Sequence, residues 1–343
     1  QSTSFQLHAP LELLARVALL PHVRPEARAG ARQKIVELGV KYESHGEAAG
    51  RVDVPLRDVP HAAAALVDAF LHGDPDTADA ALIYLLDHEP LPTTLARLRP
   101  ILVDHLGAAA HAPILVAELP RVADRIPGVE QLLRAPVRSL LQHPAHLRWH
   151  RAHEGTAQAD AEARLLDALR APTPTAIATS SIAPTMRSVE DNGLAPALLG
   201  DAWRGLSTAR AERVLSRLAA WSMLQETTAH APYGWTHALT LPQAMLRMTL
   251  GTDDAQAVAA VAATYLLGFR STLGKVRLEP TAPVAIPDAP AAWTAIATDA
   301  ALHTDAHFAK YVVACLDAAA RDRDCAPLYM AAAQRLAAFW ASR

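Results

Sequence analysis

The sequence predicts an all-α protein, a single large multi-helix domain with proline-rich loops, and three observations carry that expectation. Hydrophobic residues make up 51% of the 343, yet only 5% are aromatic. The apolar content is therefore mostly Ala, Leu and Val, and alanine and leucine stand at the top of intrinsic helix propensity. Apolar residues recur at helical spacing over long stretches, and 25 prolines punctuate them.

The elements follow in order. Leu11, Leu14, Ala15 and Ala18 fall at i, i+3, i+4 and i+7, and Pro21 closes that segment. The same periodicity predicts helices over 31–42, 61–71, 77–86, 95–119, 129–141 and 159–169. Later ones cover 195–203, 209–225, 240–250, 254–273, 289–302, 305–320 and 326–341. Strand-like alternation is scarce, and 275–278 is its best candidate. The loops 171–184 and 279–290, rich in proline, read as connections. The first offers an internal division of the chain, but a single domain over 1–343 is preferred because the candidate ligands come from both sides of it. No fixed period of roughly 34 or 40–47 residues marks a solenoid.

Composition excludes several functions. With 32 basic against 35 acidic residues and no long run of one sign, the chain lacks the basic stripe that nucleic acid requires. Two cysteines, Cys315 and Cys325, with no CxxC spacing, fit a reducing compartment and exclude a thiolate zinc site. Residues 1–10 lack the basic start and apolar stretch of a signal peptide, and the absent initiator methionine suggests removed leader or tag residues. No window of about 18 uninterrupted apolar residues exists, so no membrane span is expected. A cytoplasmic location follows as the expectation. The abundance of Ala and Arg is like that of high-GC bacteria.

Histidine carries the only recurring phrase. His-Ala-Pro occurs at His8, His111 and His230. Proline suits the first turn of a helix and costs about 3 kcal/mol in its interior, so each histidine is expected at a helix start or beside a proline kink. Either place can aim a side chain into a pocket. The plain alternative is ordinary histidines in a chain that has 16. His237 enters an apolar helix in Trp235-Thr-His-Ala-Leu-Thr-Leu-Pro, whereas His230 lies in the loop before it. Farther on, His303 and His307 share a helical face at i, i+4 and Lys310 joins at i, i+3. The glutamate of HExxH is missing, which excludes a zincin. The spacing leaves His230 against His237, and His303 against His307, as alternatives.

Four phrases, Leu7-His8-Ala-Pro-Leu-Glu-Leu-Leu, Ala110-His111-Ala-Pro-Ile-Leu, Thr236-His237-Ala-Leu-Thr-Leu-Pro-Gln-Ala-Met and Asp305-Ala-His307-Phe-Ala-Lys310, occur in this order. In them the chain resembles the questin oxidase-like proteins, helical oxygenases acting on aromatic polyketides. The resemblance spans almost the whole chain, with two departures. Gln6 and Leu7 precede His8 and alanine follows it, where the family carries His-Asn-His, and the helix after His111 lacks an arginine common there.

The resemblance implies non-haem Fe(II) held by His8, His111, His237 and His307, with Lys310 carboxylated on its amine as an anionic fifth ligand. These same five residues would be the catalytic ones. Imidazole with an oxygen anion suits iron(II). A free lysine, protonated below its usual pKa of about 10.4, is a poor ligand until carboxylation removes its charge. Five protein ligands would leave one octahedral position for O2 or water.

The leading expectation is thus an oxygenase, mono- or dioxygenase, that opens or oxidises a ring of a phenolic polycyclic ketone such as an anthraquinone. Its partners would be an aromatic small molecule and O2, with no nucleic acid, no membrane and an oligomeric state left open. No GxGxxG follows a strand, so electrons would come from substrate, iron or freely diffusing NADPH. The alternatives are a metal-independent cyclase or hydrolase with His237 or His111 as general base, and a non-catalytic helical binding protein. Other features take plainer readings. His143, His146, His150 and His153 around Trp149 read as a solvated helix end. Trp203, Trp221, Trp235, Met223, Met245 and Met248 read as core, and Asp253-Asp254 as a helix cap.

Overall fold

A computed structural model of the chain describes residues 4–45, 50–104, 111–142, 159–171, 182–200, 206–248, 255–281 and 288–343. Sixteen α-helices, and no strand, occur among them. They are α1 (Ser4–Leu19), α2 (Arg28–Glu43), α3 (Val59–His72), α4 (Pro75–His88), α5 (Leu91–Asp104), α6 (His111–Glu118), α7 (Arg134–Gln142) and α8 (Ala161–Arg170). Then follow α9 (Ile182–Asp191), α10 (Leu194–Leu199), α11 (Thr208–Gln225), α12 (Thr236–Met248), α13 (Ala255–Leu273), α14 (Ala289–Leu302), α15 (Ala306–Arg321) and α16 (Ala326–Ala341).

Local chemistry sets many of the boundaries. Asp58 caps α3 by accepting the His61 N–H, and Asp74 caps α4 by accepting those of Asp76 and Thr77, each with a proline in the first turn. Gly73, at φ 73°, lets α3 end in the left-handed conformation that a side chain would strain. Asp305 caps α15 by accepting the His307 N–H. That contact returns in the site.

α12 is the centre of the molecule. Of its thirteen residues only Thr240 is less than fully buried, and it packs against α6, α11, α13 and α15. A helix buried on every side is stable only where other helices surround it and supply partners for its polar side chains. Alanine makes that approach close, as in α13, where Ala259, Ala260, Ala262 and Ala263 are all buried. Outside this layer α1 packs on α2, α6 and α15, and α14 on α15 and α16. One hydrophobic cluster runs from Leu11 to Phe339. Trp221, Trp235, Met223, Met245 and Met248 belong to it, as expected of core residues.

Three expectations need correction. The stretch 275–278 is not a strand, because side chains hold its backbone. Glu226 accepts the Lys275 N–H at 3.0 Å, and Arg270 donates to the Val276 carbonyl at 2.5 Å. The proline-rich stretch 171–184 ends sooner than its composition suggested, since α9 begins at Ile182. His303 and His307 do not share a helix: α14 stops at Leu302, and His303 lies in the link to α15. The histidines around Trp149, Trp203 itself and Asp253-Asp254 lie outside the described residues.

Candidate metal centre

Four helices bring their N-terminal halves to one place. His8 sits in the first half of α1, two residues before Pro10, which has no N–H to complete the helical ladder there. His111 is the first residue of α6, where Pro113 occupies the first turn at no cost. His237 is the second residue of α12, immediately after a π-helical turn over Ala231–Trp235. His307 is the second residue of α15, and Lys310 follows one turn later on the same face.

The side chains converge. The Nε2 atoms of His8 and His111 are 3.1 Å apart, and one ring nitrogen from each of His8, His111 and His237 falls within 4.8 Å of the others. The His307 ring centroid lies 5.2 Å from those of both His8 and His237, beside this triad rather than within its tightest grouping. His111, His237, His307 and Lys310 are buried, while His8 is half-buried. His303 turns elsewhere, its ring against Phe308 and Trp340. His230 ends a 3-10 turn before the π-turn, outside the triad.

Outer contacts orient two of the rings. His237 Nδ1 lies 2.6 Å from the Tyr233 carbonyl. A carbonyl only accepts, so Nδ1 carries the proton and Nε2 presents its lone pair to the cluster. His307 Nδ1 lies 3.2 Å from Asp305 Oδ1, the atom that also accepts the His307 backbone N–H at 2.7 Å. Burial pushes Asp305 up, but the hydrogen bonds and charge of His307, with Lys310, bring it net below its ordinary pKa. It is a carboxylate near neutrality, and His307 Nε2 is likewise left as an acceptor. Such carbonyl and carboxylate partners are what metal-bound histidines ordinarily use.

Electrostatics favour the neutral form of His237 and His307. Burial, then the nearby Lys310, His307 and His111, push His237 well below the usual histidine range. Burial and Lys310 lower His307 despite Asp305. Lys310 itself is lowered to about 8 by burial, with Asp305 and Glu12 opposing. Without a metal, the His8–His111 contact is an N–H···N hydrogen bond whose donor depends on the tautomer; with one, both nitrogens can turn their lone pairs to the ion. Two imidazoles bound at right angles to one first-row ion, each at about 2.1 Å as for zinc, have nitrogens about 3.0 Å apart. The 3.1 Å separation of His8 and His111 fits that edge, so the donor set suits a metal.

Access comes from one side. A cleft of about 430 Å³ opens on His8 and His307 between Phe5, Lys41, Tyr233 and Asp305. Tyr233 is 61% exposed and sets its ring edge-on to His307 at 5.0 Å. Behind Lys310 a void of about 20 Å³ is lined by Leu11, Ile114, Thr240 and Gln243, room for one water-sized group.

Sequence reading missed the residues that hold this frame. Arg16, 2% exposed, donates to Glu12 and to the carbonyls of Ala301 (2.6 Å) and His303 (2.5 Å). It ties the helix bearing His8 to the link that leads into His307. Nothing local signals a contact across 285 residues. Tyr233 carried only a weak signal, the Pro-x-Gly step before an apolar helix. No protein-family model, no curated protein and no solved structure matches the chain.

Proposed function

We propose that the chain is a metal-dependent oxygenase of the questin oxidase-like kind. In this reading His8, His111, His237 and His307 hold Fe(II), and Lys310 serves as a carboxylated fifth ligand. The observation that carries the reading is the convergence of three imidazoles from α1, α6 and α12 within 4.8 Å, with a fourth from α15 beside them and an open cleft above. Bound iron would supply the one-electron chemistry with O2 that side chains lack.

The chain's own residues do the rest. The Tyr233 carbonyl and the Asp305 carboxylate fix the tautomers of His237 and His307 so that both offer lone pairs inward. Burial of Lys310 lowers its ammonium to about 8, which raises the fraction of free amine able to add CO2. That addition forms an N–C bond as one C=O π bond of CO2 opens, and it releases one proton, so the neutral amine becomes an anion; counted from the ammonium, two protons have left. Tyr233 and Phe5 line the mouth with aromatic faces, which suits a planar phenolic substrate.

The reading is tested by metal analysis of protein purified without chelator. Near one iron per chain is expected, lost in His237→Ala with the helical circular dichroism retained. Wild-type protein that takes up no iron on anaerobic reconstitution would instead favour a metal-independent enzyme or a binding protein.

A further inference from the structure

A second site lies at the opposite end of the α1–α2 pair, and its chemistry differs. A groove of about 770 Å³ runs between the end of α1, α2 and the turn after residue 121. Its floor is apolar, formed by Val17, Leu20, Ile35 and Ile126, and its charged lining residues are all arginines: Arg28, Arg32 and Arg125. No carboxylate lines it. The nearest partners are weak. Asp124 stands 3.9 Å from Arg125 and is itself 78% exposed, and Arg28 donates to the Val23 carbonyl at 3.1 Å. Among the described residues Arg32 makes no hydrogen bond or ion pair.

The pattern along α2 gives the groove a direction. Arg28, Arg32, Val36 and Val40 stand at steps of four, so they form one ridge. Its first half is cationic and its second half apolar. Val36 is 64% exposed and Val40 61%, although valine ordinarily loses its water contact on folding. α2 buries only Ala31 and Leu38, so the ridge contributes nothing to the core. An apolar floor edged by three arginines, none of them paired to a carboxylate closer than 3.9 Å, is the pattern of a pocket for an amphipathic ligand.

We propose that this groove binds a single-chain amphipathic anion of the fatty-acid class. The carboxylate sits among Arg28, Arg32 and Arg125, where a planar guanidinium can offer two parallel donors. The hydrocarbon lies along Ile35 and Val36 towards Val40. This site is independent of the histidine centre, which opens on the other end of the helix pair.

The test uses decanoate, below its micelle concentration, by isothermal titration calorimetry on the full chain. One saturable site is expected, with neither acetate, which lacks the tail, nor decanol, which lacks the charge, matching its affinity. Arg32→Glu should weaken decanoate about tenfold. Val36→Asp should weaken it likewise, with circular dichroism unchanged, since both side chains are exposed. Decanoate binding that both variants leave intact would overturn the assignment, as would decanol binding equally well. So would failure to bind decanoate accompanied by capture on phosphatidylglycerol vesicles, which marks a membrane-facing surface. A dimer of the chain that Arg32→Glu dissolves, with no decanoate binding, would identify the groove as a self-interface.

Discussion

Replacing Arg16 should unseat both stability and the histidine centre. The side chain is 2% exposed, pairs with Glu12 at 2.5 Å, and donates to the Ala301 and His303 carbonyls. In Arg16→Met the methionine fills much of the volume, but Glu12 keeps a nearly buried charge without its partner and two carbonyls lose a charged donor. Breaking a buried pair from one side costs about 3–5 kcal/mol, a large part of the roughly 5–15 kcal/mol that holds an ordinary domain together. Urea unfolding followed by circular dichroism should register a loss of that size. The double variant Glu12→Gln/Arg16→Met should recover part of it, because the stranded charge is gone. The single variant should also bind less iron, since the link from His303 to His307 loses its anchor. A loss under about 1 kcal/mol, or a double variant worse than the single, would refute the reasoning.

Further expectations concern individual groups. His111→Ala should lose bound iron and activity with its helices intact, whereas His22→Ala, His45→Ala and His88→Ala should keep both; metal analysis and turnover of each variant decide. Lys310→Arg should lose iron and turnover, because a guanidinium keeps its charge and cannot become a carbamate, and bicarbonate should aid wild type but not the variant. Unimpaired Lys310→Arg would leave Lys310 no role as a ligand. Asp322 is nearly buried against Arg217 and the Tyr329 hydroxyl. Burial raises its pKa but these partners bring it net below the ordinary value. Its stabilisation is therefore present above the unfolded carboxylate range of about 3.9 and lost as pH falls through the lower folded value. Asp322→Asn should lower stability near neutrality and flatten its decline between about pH 5 and 2, read by denaturant titration across pH.

The helical architecture was legible because it rests on short-range signals. Asp58 and Asp74 beside prolines, and apolar residues three and four apart, say the same thing locally as the packed helices do globally. The convergence of His8, His111 and His237 was legible for the first two as helix entries sharing His-Ala-Pro, whereas the same phrase pointed to His230, and His237 stood out only by entering an apolar helix. What unites them is the packing of α1, α6 and α12, which no local pattern contains. His303 misled because i, i+4 spacing assumes an unbroken helix, whereas α14 ends at Leu302 and Asp305 starts a new one. The start of α9 inside 171–184 was hidden by composition: Pro184 falls in its first turn, where proline is tolerated. The π-turn that delivers the Tyr233 carbonyl to His237 has no sequence signature beyond Pro232 and Gly234. Arg16 was invisible for the simplest reason, that its acceptors lie at the other end of the chain.

Anomalous diffraction at the iron edge, on crystals of protein reconstituted with Fe(II) under nitrogen, tests the central claim most directly. A single strong peak is expected among the inward ring nitrogens of His8, His111, His237 and His307, about 2.1 Å from each, with Lys310 extended towards it by a carboxylate. A peak at another place, or histidines left bare beside excess iron, would contradict it.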